Sequence, residues 1–256
     1  VPTKRRILRI VGVVTLVAGA LFALGVVSGR IPLRPLISFA KFRLWPDRLR
    51  VEQLVKLRHP QTEKTVILLG TTHQYHYEEA AYSIWHVKAV VTGVGADTAC
   101  IEMMADAVDG GRWGEGPVEM PFIAFAAKEA GLDVVGIDSG WDGGWQGRQA
   151  RMYEQVKARL ALPQTKTALV TSGFMHVSHF QRQFEEDGYV LVPWSDAEKL
   201  AITDRAIPHT WPPGLKEALE SAIARAKAGE VPTDPDRKAD FEWFVKVREM
   251  VLRQMP

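Results

Sequence analysis

The chain has 256 residues, 46% of them hydrophobic and 24% charged, which is enough apolar material for one substantial core and excludes a disordered or low-complexity chain. A net charge of +2, from 32 Lys and Arg against 30 Asp and Glu, lacks the basic excess that nucleic acid demands, so nucleic acid is not expected as a partner. The single cysteine, Cys100, excludes an intramolecular disulfide, and within the apolar run TACIEM it reads as a small buried hydrophobe.

In chain order, Lys4, Arg5, Arg6 and Arg9 precede twenty uncharged residues, Ile10 to Gly29. About 20 apolar residues at a 1.5 Å rise span a hydrocarbon core of about 30 Å. A cleaved signal would carry a shorter apolar run ending in an Ala-x-Ala-like site. Residues 1–30 are therefore expected to be a single-pass membrane anchor that meets lipid through residues 10–29. Residues 31–60, with Arg34, Lys41, Arg43, Arg48, Arg50 and Trp45, read as a juxtamembrane, interfacial segment. Cations flank the anchor on both sides, so charge counting leaves the side of the membrane open. The extracytoplasmic side is the expectation.

Residues 61–210 alternate apolar runs with helical patterns: TVILLG (65–70), TACIEM (98–103), LDVVGID (132–138), KTALVTSG (166–173) and YVLVPW (189–194). Such runs with helices between them indicate an α/β domain with a mainly parallel sheet and helices on both faces. Ala81, Ile84, Val87 and Val91 recur at helical spacing, and Thr71 with Gln74 fits a capping box that starts this helix near Thr72. Pro121 opens a second helix that stops at Gly131, QGRQARMYEQVKARLAL makes a third, and Val177, Phe180 and Phe184 stripe a fourth. Residues 211–256 read as a C-terminal helical pair packing on the domain. No Gly-x-Gly-x-x-Gly or Walker loop occurs. The Gly/Trp-rich stretches DGGRWGEG (109–116) and DSGWDGGWQG (138–147) read as turns or site covers.

In open α/β sheets, ligands bind beyond the carboxyl ends of the strands. Four successive ends here carry His73, Glu102, Asp138 and His176. GTTHQYH and GFMHVSH share Gly-x-x-His-x-x-His, in which the Gly lets the chain leave the strand sharply. The leading His falls in a first helical turn, whose dipole favours the neutral imidazole that a metal ligand or general base needs. Glu102 follows an apolar run and needs a partner if buried. Glu119, ahead of the apolar helix at Pro121, either complements the helix dipole or points at His73. Asp138 either caps a turn or joins the site. His76 and His179 remain open between second ligands and polar helix residues, and His59, His86 and His209 read as structural or surface groups.

These motifs, with Gly70 and His73, Glu102, Glu119, Asp138, and Gly173 and His176 in order, resemble the TraB/GumN/TIKI family of the erythromycin-esterase-like and ChaN-like folds. The resemblance covers about residues 65 to 190. It implies an α/β domain with a cleft of two His and two Glu. In different branches it implies divalent-metal-dependent proteolysis, hydrolysis with a His general base, haem binding, or membrane proteins that inhibit peptide pheromones. An Arg is expected just after the strand-end Asp, but this chain has Ser139, and Arg148 or Arg112 is the candidate replacement.

The expectation is a membrane-anchored, metal-dependent hydrolase of a peptide, ester or other small-molecule substrate. Its metal (Mn, Co or Zn) is held by His73, His176, Glu102 and Glu119, with Glu102, Glu119 and His73 also as catalytic candidates. A metal-free form uses His73 as general base. The alternative is a non-catalytic haem- or peptide-binding protein with the same cleft, GFMHVSH supplying axial ligands.

Overall fold

The computed structural model describes residues 54–78, 82–140, 143–203, 207–229 and 235–256. The expected anchor and most of the interfacial segment lie outside the described residues. Among the described residues no helix is long and apolar enough to cross a membrane.

Among the described residues six strands form one sheet: β1 (Leu54–Arg58), β2 (Thr65–Thr71), β3 (Thr98–Met104), β4 (Asp133–Asp138), β5 (Thr167–Gly173) and β6 (Val190–Leu191), in the order β4-β3-β5-β2-β1-β6. β2, β3, β4 and β5 pair in parallel, with Leu68 opposite Val170 and Cys100 opposite both Val135 and Val170. β1 pairs antiparallel with β2 and with β6. The α/β domain with a mainly parallel sheet is thus present.

Two expected boundaries move. Residues 54–58, assigned by sequence to the interfacial segment, form a sheet strand; Leu57 packs into the core. Their pattern is too short to separate from the apolar residues before them. The run 189–194 supplies only a two-residue strand, Val190–Leu191, both residues exposed, paired with β1 at the end of the sheet order.

Helices α1 (Tyr75–Glu78), α2 (Ile84–Gly93), α3 (Ala105–Asp109), α4 (Glu119–Glu129), α5 (Gly144–Ala161), α6 (Phe174–Glu186), α7 (Asp196–Ala201), α8 (Leu215–Ala228) and α9 (Pro235–Leu252) connect and cover the strands. Side chains alternate across a strand, so one face of the sheet takes Val66, Leu68, Cys100 and Val170. These pack with Met152, Tyr153, Val156 and Leu160 of α5 and with Val177, Phe180 and Phe184 of α6. The other face meets α4: Thr71 bonds Glu119, and the Thr171 hydroxyl donates to Met120 Sδ at 3.8 Å. α2 and α8 pack on α4, and α8 packs on α9.

The capping box at Thr71 is not formed. Thr71 ends β2 with its side chain buried, α1 is a single turn, and the helix of Ile84, Val87 and Val91 starts after Ser83. Gly70 and Gly173 do not take left-handed backbone, so a sharp exit is not their purpose. Gly70 makes room: a Cβ there would stand 2.9 Å from Val177 Cγ2 and 3.1 Å from Phe174 Cα, so α6 crosses directly over the end of β2.

Candidate active site

The carboxyl ends of β2, β3, β4 and β5 lie side by side, and connections leave them toward both faces of the sheet. A ligand crevice is expected at such a switch. The site has two halves.

The first half is His73 with Glu119. Glu119 opens α4 and is fully buried; its Oε1 accepts from the Thr71 hydroxyl at 2.6 Å and lies 3.0 Å from His73 Nδ1. His73 keeps 43% of its side chain exposed, while Glu119 keeps none. Burial alone would lower the His73 pKa, but the Glu119 charge and hydrogen bond, with Glu102 behind, outweigh burial and the Arg148 charge and raise it to about 9. This overturns the neutral imidazole expected at His73: no long helix begins there, and a buried carboxylate faces the ring. Burial would raise the Glu119 pKa, yet the charges and hydrogen bonds of His73, His76 and Thr71 hold it below the usual value. Glu119 Oε2 is buried with no protein partner among the described residues.

The second half is built around Arg148, in the first turns of α5. Its Nε and Nη2 grip Asp138 Oδ1 and Oδ2 at 2.9 and 2.7 Å, and Nη2 also donates to Glu102 Oε1 at 2.6 Å. Nη1 lies 3.3 Å from His176 Nε2. Glu102 Oε2 accepts the Gly173 N–H at 2.6 Å, and His176 Nε2 stands 3.5 Å from Oε1. Burial would raise the Glu102 pKa, but His176, the Gly173 N–H and Arg148 together lower it to about 2. Trp145 stacks on His176 with ring centroids 4.5 Å apart, and His176 is only 3% exposed.

Gly173 joins the halves. A Cβ there would lie 3.5 Å from Glu102 Oε2 and 3.5 Å from His73 Nε2, in van der Waals contact with both, so this position borders the two groups at once.

The structure therefore gathers His73, Glu119, Glu102, Asp138 and His176 at one end of the sheet. Of the two arginines considered, Arg148 is the one that meets the strand-end Asp138. Arg112 is bonded to Asp106 and Glu115 instead. His76 is a brace: Nε2 accepts the Thr72 N–H at 2.8 Å, Nδ1–H donates to the Tyr82 carbonyl at 2.9 Å, and burial lowers its pKa to about 4. His179 lies on the partly exposed side of α6 beside Arg182. The structural reading of the remaining histidines fits: His59 Nδ1 accepts two turn amides, His86 lies 3.1 Å from Ser83 Oγ, and His209 stacks on Trp85.

Sequence reasoning missed the Thr71 bond to Glu119, the stacking of Trp145, and Arg248 of α9, which is buried beneath the loop before Glu119. The signal for Arg248 was a lone cation within the apolar stripe Phe244, Val247 and Val251.

Among the described residues no group of three or more His, Cys, Asp or Glu side chains is disposed to hold a metal ion. The contacts give the reason. Both Glu102 oxygens are engaged, Glu119 Oε1 is taken by Thr71 and His73 Nδ1, and a guanidinium stands between Glu102, Asp138 and His176. In this arrangement the Arg148 guanidinium occupies the place between Glu102 and His176 that an ion held by His73, His176, Glu102 and Glu119 would share, so such an ion would have to displace it.

Comparisons with family models, with curated proteins and with solved structures find no match to this chain. Its function is read from its own side chains.

Proposed function

We propose that this protein is a hydrolase of ester or peptide bonds, tethered to a membrane through residues 10–29, in which the His73–Glu119 pair moves the proton. One observation carries the reading: a fully buried carboxylate holds Nδ1 of a half-exposed imidazole at 3.0 Å. That is the orientation of a general base whose other nitrogen meets substrate.

At neutral pH the pair rests as imidazolium and carboxylate. Once deprotonated, His73 Nε2 takes a proton from water while the water oxygen adds to the substrate carbonyl carbon. The same proton then passes to the leaving alkoxide or amine as its bond to carbon breaks. Glu119 stabilises the imidazolium in between. Arg148, tied to Asp138 and Glu102, holds the strand ends in register and balances their charge. An ion-dependent version would require Arg148 to leave Glu102. Haem ligation finds no support at His176, which is enclosed by Trp145 and Arg148.

The test is a screen of chromogenic esters and a peptide mixture with the purified full chain, with and without chelator. Asn tolerates the left-handed backbone found at His73, so His73→Asn is the variant of choice. Turnover that survives chelator and falls on the order of 10²–10⁴-fold in His73→Asn is the expected result. Turnover that is lost to chelator and restored by Mn, Co or Zn would return the metal-centred mechanism. Turnover unaffected by His73→Asn would sink the assignment.

A further inference from the structure

Arg248 of α9 is fully buried, and no carboxylate pairs with it among the described residues. A buried guanidinium is costly unless its donors are used. Its Nε donates to the Gly114 carbonyl at 2.9 Å, Nη2 to the Gly116 carbonyl at 2.6 Å, and Nη1 back to the Phe244 carbonyl at 3.2 Å. The cation also lies over the Phe244 ring, 3.4 Å from its centroid. The titratable groups facing it are Tyr77, Glu119 and Glu115.

The gripped turn leads to Glu119, three residues past Gly116. α8 presses it from another side: a Cβ on Gly114 would collide with the Ala218 carbonyl and the Ala222 side chain. At Gly116 the turn crosses the end of β3, where a Cβ would stand 3.1 Å from Met103 Cγ and 3.6 Å from the Glu102 carbonyl. The C-terminal segment also reaches the stretch that carries His73: Gln254 Nε2 donates to the Tyr77 carbonyl at 3.2 Å. Tyr77 in turn reaches the Val118 carbonyl, next to Glu119, at 3.4 Å.

We propose that Arg248 is a positioning residue for the His73–Glu119 pair: by gripping Gly114 and Gly116 it sets where the Glu119 carboxylate stands against the imidazole. Its catalytic consequence rests on the reading of that pair as the proton-transfer site; the positioning itself does not.

The test reads the His73 ring directly. Long-range ¹H–¹⁵N correlations of the histidine rings are recorded at one pH for the full chain, Arg248→Gln, Arg248→Lys and a control, Val251→Ala, on the same helix. Thermal unfolding is measured for each. The His73 Nδ1 resonance is expected to move in Arg248→Gln, to move less in Arg248→Lys, and to stay put in Val251→Ala despite a lower Tm. On an active substrate, kcat falls on the order of tenfold to a hundredfold in Arg248→Gln while KM holds, as expected for a displaced catalytic group. A His73 resonance unmoved in folded Arg248→Gln overturns the proposal. If that variant does not fold, Arg248→Lys decides alone, a moved resonance supporting the proposal and an unmoved one overturning it. The spectra need no substrate, so a failed hydrolase screen leaves this result standing.

Discussion

His73 sits at φ 55°, in the left-handed region, which costs a non-glycine residue roughly 1–2 kcal/mol. Its surroundings hold it there: Glu119 takes Nδ1, and His76 anchors the neighbouring Thr72 N–H. Strain that is over-determined in this way clusters at functional sites. Because the folded pKa is about 9 against an ordinary 6.5, the pair's contribution to stability is complete below pH 6.5 and is lost as pH rises to 9. Thermal melts should show a decline in Tm across that window which His73→Asn lacks. Glu102 behaves oppositely: with a folded pKa of about 2, its contribution holds above pH 4.5 and is lost as pH falls toward 2. The same His73 shift predicts a rate that climbs with pH to about 9, and Glu119→Gln should move that limb down toward 6.5. A pH–rate profile with no limb between those values would contradict His73 as base. At Arg148, replacement by Met strands Glu102 and Asp138 without their cation. Breaking one partner of a buried pair costs about 3–5 kcal/mol, which urea unfolding should report.

At the scale of elements, Gly70 decides how α6 meets the sheet. Gly70→Ala puts a methyl group against Val177 and against the backbone of α6. Overpacking of this kind costs about 1–3 kcal/mol. The cost should appear in urea unfolding, and the displaced α6 carries His176 with it. The strands and long helices were legible because their apolar periods are long: β2, β3 and β5 are buried at nearly every position, and Val177, Phe180 and Phe184 line one side of α6. The short elements were not. The capping pattern at Thr71 and Gln74 is real in sequence, but a hydroxyl bonds whatever acceptor the fold brings near, and the fold brings Glu119. At β1, five residues leave too little pattern to compete with the basic, apolar stretch before them.

At the scale of the molecule, the order β4-β3-β5-β2 inserts the last of these strands between the first two, and this brings both histidine motifs together. β2 and β5 pair from Thr65–Thr167 to Thr71–Gly173, so their ends are level, and His73 and His176 emerge beside each other. The C-terminal helices, which carry no chemistry of their own by sequence, close on the turn before Glu119 and thereby belong to the site. Prolonged chelation of the full chain should leave its Tm unchanged, since Arg148 holds the strand-end carboxylates. A large loss, reversed by Mn, Co or Zn, would show that an ion displaces it.

From sequence alone came the α/β class, the strands whose ends lie side by side, and the imidazoles and carboxylates that the fold gathers there. Each of these follows from local periodicity and from the cost of burying a charge near an apolar run. What each group bonds was decided only in three dimensions. Burial against one partner or another determines whether an imidazole is a cation, as His73 is beside Glu119, or stays neutral, as His76 does between the Thr72 N–H and the Tyr82 carbonyl. The same holds for the central charge. Ten residues separate Arg148 from Asp138 and forty-six from Glu102, and nothing in those separations announces that one guanidinium will stand between them. The sheet order puts it there, because strand ends distant in sequence become neighbours only when the sheet has formed.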